Sequence, residues 1–260
     1  MANRPYRVQV ATGPLPPMVL DIDALLVRPD IEVLQRGARA TVAAVSFEGG
    51  DWVVKRFRER AWKVLLFGSS AGEVWRAAAR LDAAGLPVPE MRAVLERRVL
   101  GLVRWSCTIA RRVEGGSLED VWRACHGEPR RRLTTAFADY LSSLHGAGFY
   151  PQDLRAENLL VASVEPPRFV LVDLDRVRRY RQVSWERRKK NVVQVLRSVG
   201  RKASATERLR FLARYLGAPS RDELRRCAAE ILAFGEAKDA EYAQRRGDVP
   251  RVSQERGVRT

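Results

Sequence analysis

The chain has few of the side chains that build metal centres and disulfide frameworks. Its 260 residues include only two histidines and three cysteines. Cys107, Cys125 and Cys227 show no paired or metal-like spacing, and the adjacent Cys125 and His126 have poor geometry for chelation. We therefore expect no zinc site. An odd number of thiols fits a reducing compartment, so we expect a cytoplasmic protein.

Long apolar segments are also missing. The N-terminal region lacks the apolar core of a signal peptide, because Asp21 and Asp23 interrupt its short apolar pieces. No run approaches the roughly 18 apolar residues that a membrane span needs. We expect no transmembrane helix, so any contact with a membrane should be peripheral.

Acidic residues are scarce relative to basic ones. The chain has 31 Asp and Glu against 47 Lys and Arg, a formal charge of +16. Such a surface attracts polyanions, which include nucleic acid, anionic lipid and phosphorylated substrates, although a basic protein can also simply be soluble. The composition is otherwise that of a globular protein, with 46% hydrophobic and 30% charged residues.

The order of the predicted elements is that of an α+β protein with two lobes. The pattern predicts an irregular arm over residues 1–30, which has four prolines by position 17. A β-rich lobe with one main helix follows over residues 31–110, and we expect Ser70 to cap that helix. Residues 111–245 form a mainly helical lobe, and residues 246–260 a tail. A cleft between two lobes is the usual place for a ligand.

The stretch "YPQDLRAENLL", residues 150–160, carries the strongest chemical signal, and we call it the Asp153 loop. Asp153 and Asn158 lie five residues apart with Arg155 between them, and Asp173 follows an apolar strand in "FVLVDLD". Phosphoryl transfer needs a carboxylate to orient the attacking hydroxyl and hard oxygen ligands for Mg²⁺. We interpret Asp153 as the orienting group, Asn158 and Asp173 as metal ligands, and Arg155 as a contact to the γ-phosphate.

Three residues of the β-rich lobe are candidates for nucleotide contacts. Lys55 lies inside the strand-like "WVVKRF", where it either points inward to phosphates or is an exposed lysine. Gly37 in "LQRGARATV" could form a phosphate-covering turn. Glu73 either pairs with Lys55 or closes a capping box with Ser70.

Several motifs together resemble a known fold. "LHGAGFYPQDLRAENLLV", "FVLVDLD", "VVKRF" and the hinge-like "RRVEGGSLEDVW" resemble the protein-kinase-like fold. "AGLPVPE", "VDLDRVR" and "RLRFLARYLG" are similar to the bacterial lipopolysaccharide core kinases, which phosphorylate Kdo or heptose. The resemblance covers roughly residues 30–218.

The resemblance implies a role for each candidate and implies ATP and Mg²⁺ as cofactors. Lys55 would contact the nucleotide phosphates with Glu73 as its helix partner, and Asp153 would be the catalytic Asp. Asn158 and Asp173 would hold Mg²⁺. Adenine would meet the backbone from Arg111 to Val113.

The chain departs from protein kinases in ways that spare these groups. Pro151 and Gln152 replace a His and an Arg, and Leu174 and Asp175 replace a Phe and a Gly. Because that Arg reads a phosphorylated activation loop in protein kinases, its loss favours a small or glycolipid acceptor over a peptide.

A basic stretch over residues 176–202 has eleven Lys or Arg and one acid, Glu186. It is either a solvated helical face, a contact for an anionic membrane, or a contact for nucleic acid. For a kinase of core lipopolysaccharide we favour the inner-membrane surface and expect no nucleic-acid partner.

These observations predict an ATP- and Mg²⁺-dependent kinase of a sugar hydroxyl in the lipopolysaccharide inner core or its glycolipid precursor. It would act at the cytoplasmic face of the inner membrane. Two alternatives stay open. One is a related phosphotransferase for a small alcohol or a protein, and the other is a basic nucleotide-binding pseudokinase.

Overall fold

The N-terminal lobe is built on one antiparallel sheet. The computed structural model describes residues 6–199 and 203–247. The six strands of the sheet are β1 (Arg7–Ala11), β2 (Glu32–Arg36), β3 (Ala40–Phe47), β4 (Gly50–Arg58), β5 (Met91–Val99) and β6 (Leu102–Arg111). Their order across the sheet is β1-β5-β6-β4-β3-β2, so β4 and β6 lie at its centre.

The β3–β4 hairpin places Lys55 in the middle of this sheet. The two strands pair over their whole length, from Ala40 opposite Phe57 to Phe47 opposite Gly50. The predicted "EGGD" turn joins them, and both Glu48 and Gly49 have positive φ there. This is the backbone geometry of the tight turns that match the twist of a hairpin.

The first 30 residues are not irregular where the structure describes them, so that prediction is wrong for residues 6–30. Strand β1 extends the sheet by pairing with β5. A 3-10 turn over Pro17–Leu20 and helix α1 (Ile22–Leu25) follow it. Val19 and Ile22 are fully buried in a cluster with sheet residues. The prolines concealed this order, because Pro14 and Pro16 lie between β1 and the 3-10 turn and Pro17 is the first residue of that turn.

Two helices cross from β4 to β5, α2 (Ala61–Phe67) and α3 (Ser70–Asp82). The predicted cap of α3 is one residue off: the hydroxyl of Ser69, not Ser70, accepts from the backbone N–H of Gly72 at 3.3 Å. Ser70 instead donates to the buried carboxylate of Glu59 at 3.0 Å, and its N–H donates to the same group at 2.7 Å. The Ser106 hydroxyl on β6 is a third donor to Glu59. Glu59 therefore holds the start of α3 against the sheet.

The C-terminal lobe is mainly helical, as predicted. Its helices are α4 (Leu118–Ala124), α5 (Gly127–Gly146), α6 (Trp185–Val199), α7 (Ala205–Tyr215) and α8 (Arg221–Gly247). The core of the lobe includes Leu133, Phe137, Leu141 and Leu144, which face inward from α5 at helical spacing. No helix in the described ranges is long and apolar enough to cross a bilayer. The predicted tail lies, from residue 248 onward, outside the described residues.

Short strands hold the segments between the lobes. These are β7 (Gly116–Ser117), β8 (Phe149–Pro151), β9 (Leu159–Val164), β10 (Pro167–Leu171) and β11 (Val177–Arg179). The β9–β10 hairpin pairs Leu159 with Leu171, and β8 pairs with β11 through Pro151 and Val177. These two pairings flank the Asp153 loop and residues 172–176, so they bring the two segments side by side.

Candidate active site

A cavity of about 880 Å³ separates the two lobes, and we call it the cleft. Both lobes contribute to its walls, including the sheet of the first lobe and the Asp153 loop of the second. Seven of the nine predicted site residues line it: Lys55, Arg111, Val113, Asp153, Arg155, Asn158 and Asp173.

Lys55 connects the lobes electrostatically. It projects from the central strand β4, whose partners at that position are Val42 and Thr108. Its Nζ lies 2.5 Å from Oδ1 of Asp173 and 3.6 Å from Oδ1 of Asp175. The Lys55 side chain is only 22% exposed, so solvent screens these pairs less than a surface ion pair.

The two carboxylates of "VDLD" influence each other strongly. Burial, together with a hydrogen bond to Asp173, raises the pKa of Asp175 to about 6. Burial alone would also raise the pKa of Asp173, but its contacts with Asp175 and Lys55 outweigh burial and lower it. Sequence reasoning treated Asp175 only as a replacement for a Gly. The spacing of Asp173 and Asp175 could have shown its role, because side chains two residues apart in an extended segment lie on the same side.

The Asp153 loop is closed by its own polar groups. Nε of Arg155 donates to Oδ1 of Asp153 at 3.1 Å. Nδ2 of Asn158 donates to the backbone carbonyl of Asp153 at 3.2 Å. The backbone N–H of Asn158 donates to the backbone carbonyl of Arg155 at 3.0 Å. The amide nitrogen of Asn158 is thus used within the loop, which leaves its amide oxygen for a ligand in the cleft.

Two amide side chains of α6 support the loop from below. Nδ2 of Asn191 donates to the carbonyl of Pro151 at 2.8 Å. Gln194 donates to the carbonyl of Gln152 at 3.0 Å and accepts from the N–H of Leu154 at 3.3 Å. These bonds fix the backbone on either side of Asp153. Sequence reasoning missed this role, since helical periodicity does not reveal which polar residue faces a distant loop.

A buried histidine extends this support. The ring of His145 lies 3.0 Å from Oδ1 of Asn191 through Nε2, and 2.7 Å from the hydroxyl of Tyr215 through Nδ1. Burial lowers the pKa of His145 to about 4, so the imidazole is neutral at pH 7. A neutral ring can donate at one nitrogen and accept at the other, which satisfies both neighbours.

The predicted hinge can supply a backbone donor to the cleft. The N–H groups of Arg111 and Arg112 are taken up by the carbonyls of Glu90 and Asp51, both at 2.8 Å. Within the described ranges, no protein group accepts from the N–H of Val113, and Val113 lines the cleft. The segment can therefore offer a hydrogen bond to a ligand base.

Glu73 and Gly37 lie outside the walls of the cleft. Glu73 neither pairs with Lys55 nor caps α3; its Oε1 lies 3.9 Å from Nη1 of Arg178, and both residues line a smaller cavity beside the cleft. Both predicted roles of Glu73 are wrong in this structure. Gly37 forms the β2–β3 turn by donating to the carbonyl of Ala40 at 2.9 Å, while its neighbours Leu34 and Gln35 line the cleft.

Solved structures of other proteins share the fold of this chain. The structure "WaaP in complex with acyl carrier protein" aligns with a TM-score of 0.64 at 22% identity, over 81% of this chain and 88% of that chain. A more distant match is Rad53 in complex with AMP-PNP, with a TM-score of 0.42 at 20% identity, over 59% of this chain and 42% of that chain. Another is an Stt7 homolog from Micromonas algae soaked with ATP, with a TM-score of 0.43 at 17% identity, over 68% of this chain and 55% of that chain. The predicted α+β protein-kinase-like fold is confirmed. A comparison with curated proteins gives no match.

The family follows from the sequence match. Residues 50–215, more than half of the chain, match the Lipopolysaccharide kinase (Kdo/WaaP) family. The chain belongs to this family, so the predicted resemblance is confirmed. It is a phosphotransferase with an alcohol group as acceptor, as the members of the family are.

Proposed function

We propose that the chain uses ATP and Mg²⁺ to phosphorylate a sugar hydroxyl, on Kdo or heptose, of the lipopolysaccharide inner core. The observation that carries this proposal is the convergence of Lys55, Asp153, Asn158 and Asp173 on one cleft between two lobes. These are the residue types that phosphoryl transfer requires: a cation, an orienting carboxylate and oxygen ligands for a metal.

Asp153 is the group that orients the acceptor hydroxyl. Its side chain is 35% exposed at the cleft, so an acceptor can reach it. Hydrogen bonds on both sides hold its backbone, which reduces the cost of ordering it for in-line attack. Arg155, which already contacts Asp153, and Lys55 lie where they can offset charge on the phosphates.

The oxygen donors of the cleft fit a magnesium ion. Asp173 offers a carboxylate with a lowered pKa, and Asn158 offers its amide oxygen. In the part of the chain that the structure describes, Oδ1 of Asp175 is buried without a hydrogen-bond partner. Within residues 6–199 and 203–247, no three His, Cys, Asp or Glu residues form a complete metal centre. This suits Mg²⁺, which commonly takes one or two carboxylates and completes its shell with nucleotide phosphates and water. When bound, the ion neutralises charge on the transferred phosphoryl group.

Transfer assays test this proposal. Purified protein with γ-labelled ATP, Mg²⁺ and core glycolipid should label the glycolipid, and Asp153→Asn should slow the transfer by about 10²- to 10⁴-fold. Asp222→Asn is the matched control, because that side chain is 96% exposed on α8. Equal transfer by Asp153→Asn would contradict the assigned mechanism. Label in a small alcohol or protein instead would favour the first alternative, and no Mg²⁺-dependent ATP binding would favour a pseudokinase.

The acceptor sugar can be identified in cells. Mass spectrometry of core lipopolysaccharide from cells with and without the protein should show the loss of one phosphate. The sugar that loses it distinguishes Kdo from heptose. An unchanged core would contradict the proposed acceptor even if the protein transfers phosphate in vitro.

Peripheral association with the cytoplasmic face of the inner membrane is part of the proposal. The basic stretch over residues 176–202 is only partly available for it, because Lys189 is 10% exposed and pairs with Glu186 and Glu230. Helix α2 gives more direct support: Trp62, Leu65, Leu66 and Phe67 are 56%, 77%, 69% and 61% exposed. Basic residues surround this apolar face, including Arg60 and Lys63. Apolar residues beside cations are suited to an anionic bilayer.

Vesicle flotation tests the association. The protein should float with anionic vesicles and less with neutral ones. Leu65→Ser combined with Phe67→Ser should abolish most of the binding, whereas Leu232→Ser, at a comparably exposed leucine on α8, should not. Equal flotation of all three proteins would contradict a role for α2.

A further inference from the structure

A second, smaller cavity lies between α3 and β11. Its volume is about 100 Å³, and Leu174 separates it from the cleft. Four arginines surround it, two from each lobe: Arg76 and Arg80 from α3, and Arg178 and Arg179 from β11. We call it the arginine cavity.

The positive charge of the arginine cavity is poorly neutralised by the protein. Its walls hold four guanidinium groups and only two carboxylates, Glu73 and Asp175. Arg178 is 3.9 Å from Glu73, which is a long ion pair. In the described part of the chain, no carboxylate lies within ion-pair distance of the other three arginines.

Within residues 6–199 and 203–247, the other three arginines have only weak partners or none. Nη2 of Arg76 donates to the carbonyl of Phe67 at 3.4 Å, and the guanidinium of Arg179 lies 5.5 Å from the ring centre of Phe149. Neither contact neutralises charge. The four arginines are exposed, and the fold gathers them around one concavity with only two carboxylates beside them, so the cavity has an excess of positive charge that attracts anions.

We propose that the arginine cavity binds a phosphate monoester or another small dianion. A planar guanidinium presents a fork of N–H donors that matches phosphate oxygens, so arginines from two sides can clamp one group. The volume admits such a group but not a nucleotide, which has the cleft. The phosphate could be free in solution or could belong to a lipid headgroup, since the chemistry of recognition is the same.

Occupation of the site would connect the two lobes. The dianion would lie between α3 of the N-terminal lobe and β11 of the C-terminal lobe, in addition to the Lys55 ion pairs. It would also compete with Glu73 for Arg178, since their present separation of 3.9 Å makes that pair weak. Glu73 would then be released from Arg178, so the site couples an anion outside the cleft to an acidic side chain of α3.

The test is a titration of the full chain with inorganic phosphate at low ionic strength, followed by calorimetry. Arg80→Gln combined with Arg178→Gln should raise the dissociation constant by about tenfold or more, because one guanidinium is removed from each side of the cavity; tenfold corresponds to about 1.4 kcal/mol. The control is Arg7→Gln with Arg225→Gln, which removes the same charge from exposed positions on β1 and α8. Lys55→Met separates this site from phosphate binding in the cleft.

The outcomes are distinct. Loss of binding in the cavity variant alone supports the site. Equal affinities of the cavity and control variants, or loss of binding in Lys55→Met alone, would overturn it. A second titration with vesicles containing phosphatidic acid identifies the source of the anion. Weaker vesicle binding by the cavity variant supports a lipid headgroup. Unchanged vesicle binding together with weaker phosphate binding supports a soluble phosphate. The measurement needs no catalysis, so its result is independent of the proposed kinase activity.

Discussion

Asn191 is the residue on which the support of the Asp153 loop depends, and its hydrogen-bonding group can be removed while the branching of the side chain is kept. Its side chain is fully buried and makes three hydrogen bonds, to Pro151, Gln194 and His145. Asn191→Leu keeps the branch at Cγ but replaces the amide with two methyl groups. It leaves the carbonyl of Pro151 and the ring nitrogen of His145 without a partner in a dry environment.

The magnitude follows from those two orphaned groups. Each buried polar group that loses its partner costs about 1–3 kcal/mol, so the variant should lose roughly 2–6 kcal/mol of the free energy of unfolding. For a protein of this size each kcal/mol lowers Tm by about 2–4 °C, which gives a fall of roughly 4–24 °C. The displaced loop should also lower kcat, because the loop carries Asp153.

Thermal unfolding and steady-state kinetics test both parts. Gln182→Leu, at an exposed position just before α6, is the control and should keep the Tm and kcat of the original chain. If Asn191→Leu has an unchanged Tm, the buried network does not stabilise the fold as argued. If Tm falls but kcat measured well below Tm is unchanged, the network stabilises the lobe without positioning Asp153.

Three further predictions concern other parts of the structure. Burial lowers the pKa of His145 to about 4, so the unfolded chain binds the proton first as pH falls. The free energy of unfolding should therefore decline by roughly 3 kcal/mol between about pH 6.5 and 4. Denaturation curves of His145→Gln should lack this part of the decline. Glu59→Ala should cost roughly 2–4 kcal/mol in urea denaturation, since it strands donors of Ser70 and Ser106, and Glu128→Ala on the surface should cost little. Lys55→Met should lower kcat/KM by about 10²-fold or more with Tm within a few degrees, and normal turnover would refute its role.

The sequence predicts best those elements whose signal is local. Strands β5 and β6 and helix α5 were predictable because alternation and helical periodicity are properties of adjacent residues. The Asp153 loop could be located because its three polar residues lie within six positions of one another. The β9–β10 hairpin that follows it then places Asp173 beside the loop.

The features that were missed depend on distant contacts. Strand β1 forms because β5, more than 80 residues away, accepts it as a neighbour, and no local pattern states this. The position of Glu73 is decided by how α3 lies over β11, so its spacing from Lys55 was not informative. In the sequence, Asn191 and Gln194 are indistinguishable from other polar positions of a helix, and only the packed structure shows their bonds to the Asp153 loop.

The β1 strand has a practical consequence for work with this protein. The outer strands of the sheet are β1 and β2, which have five residues each and carry charged residues such as Arg7 and Glu32. Short, charged edges resist pairing with other chains. In a shortened chain that begins at residue 31, the nine-residue strand β5 would lose its neighbour β1 and become an edge strand. The core would also lose the side chains of Val19 and Ile22. Such a fragment should self-associate through β5, so expression of this enzyme should retain its N-terminal segment.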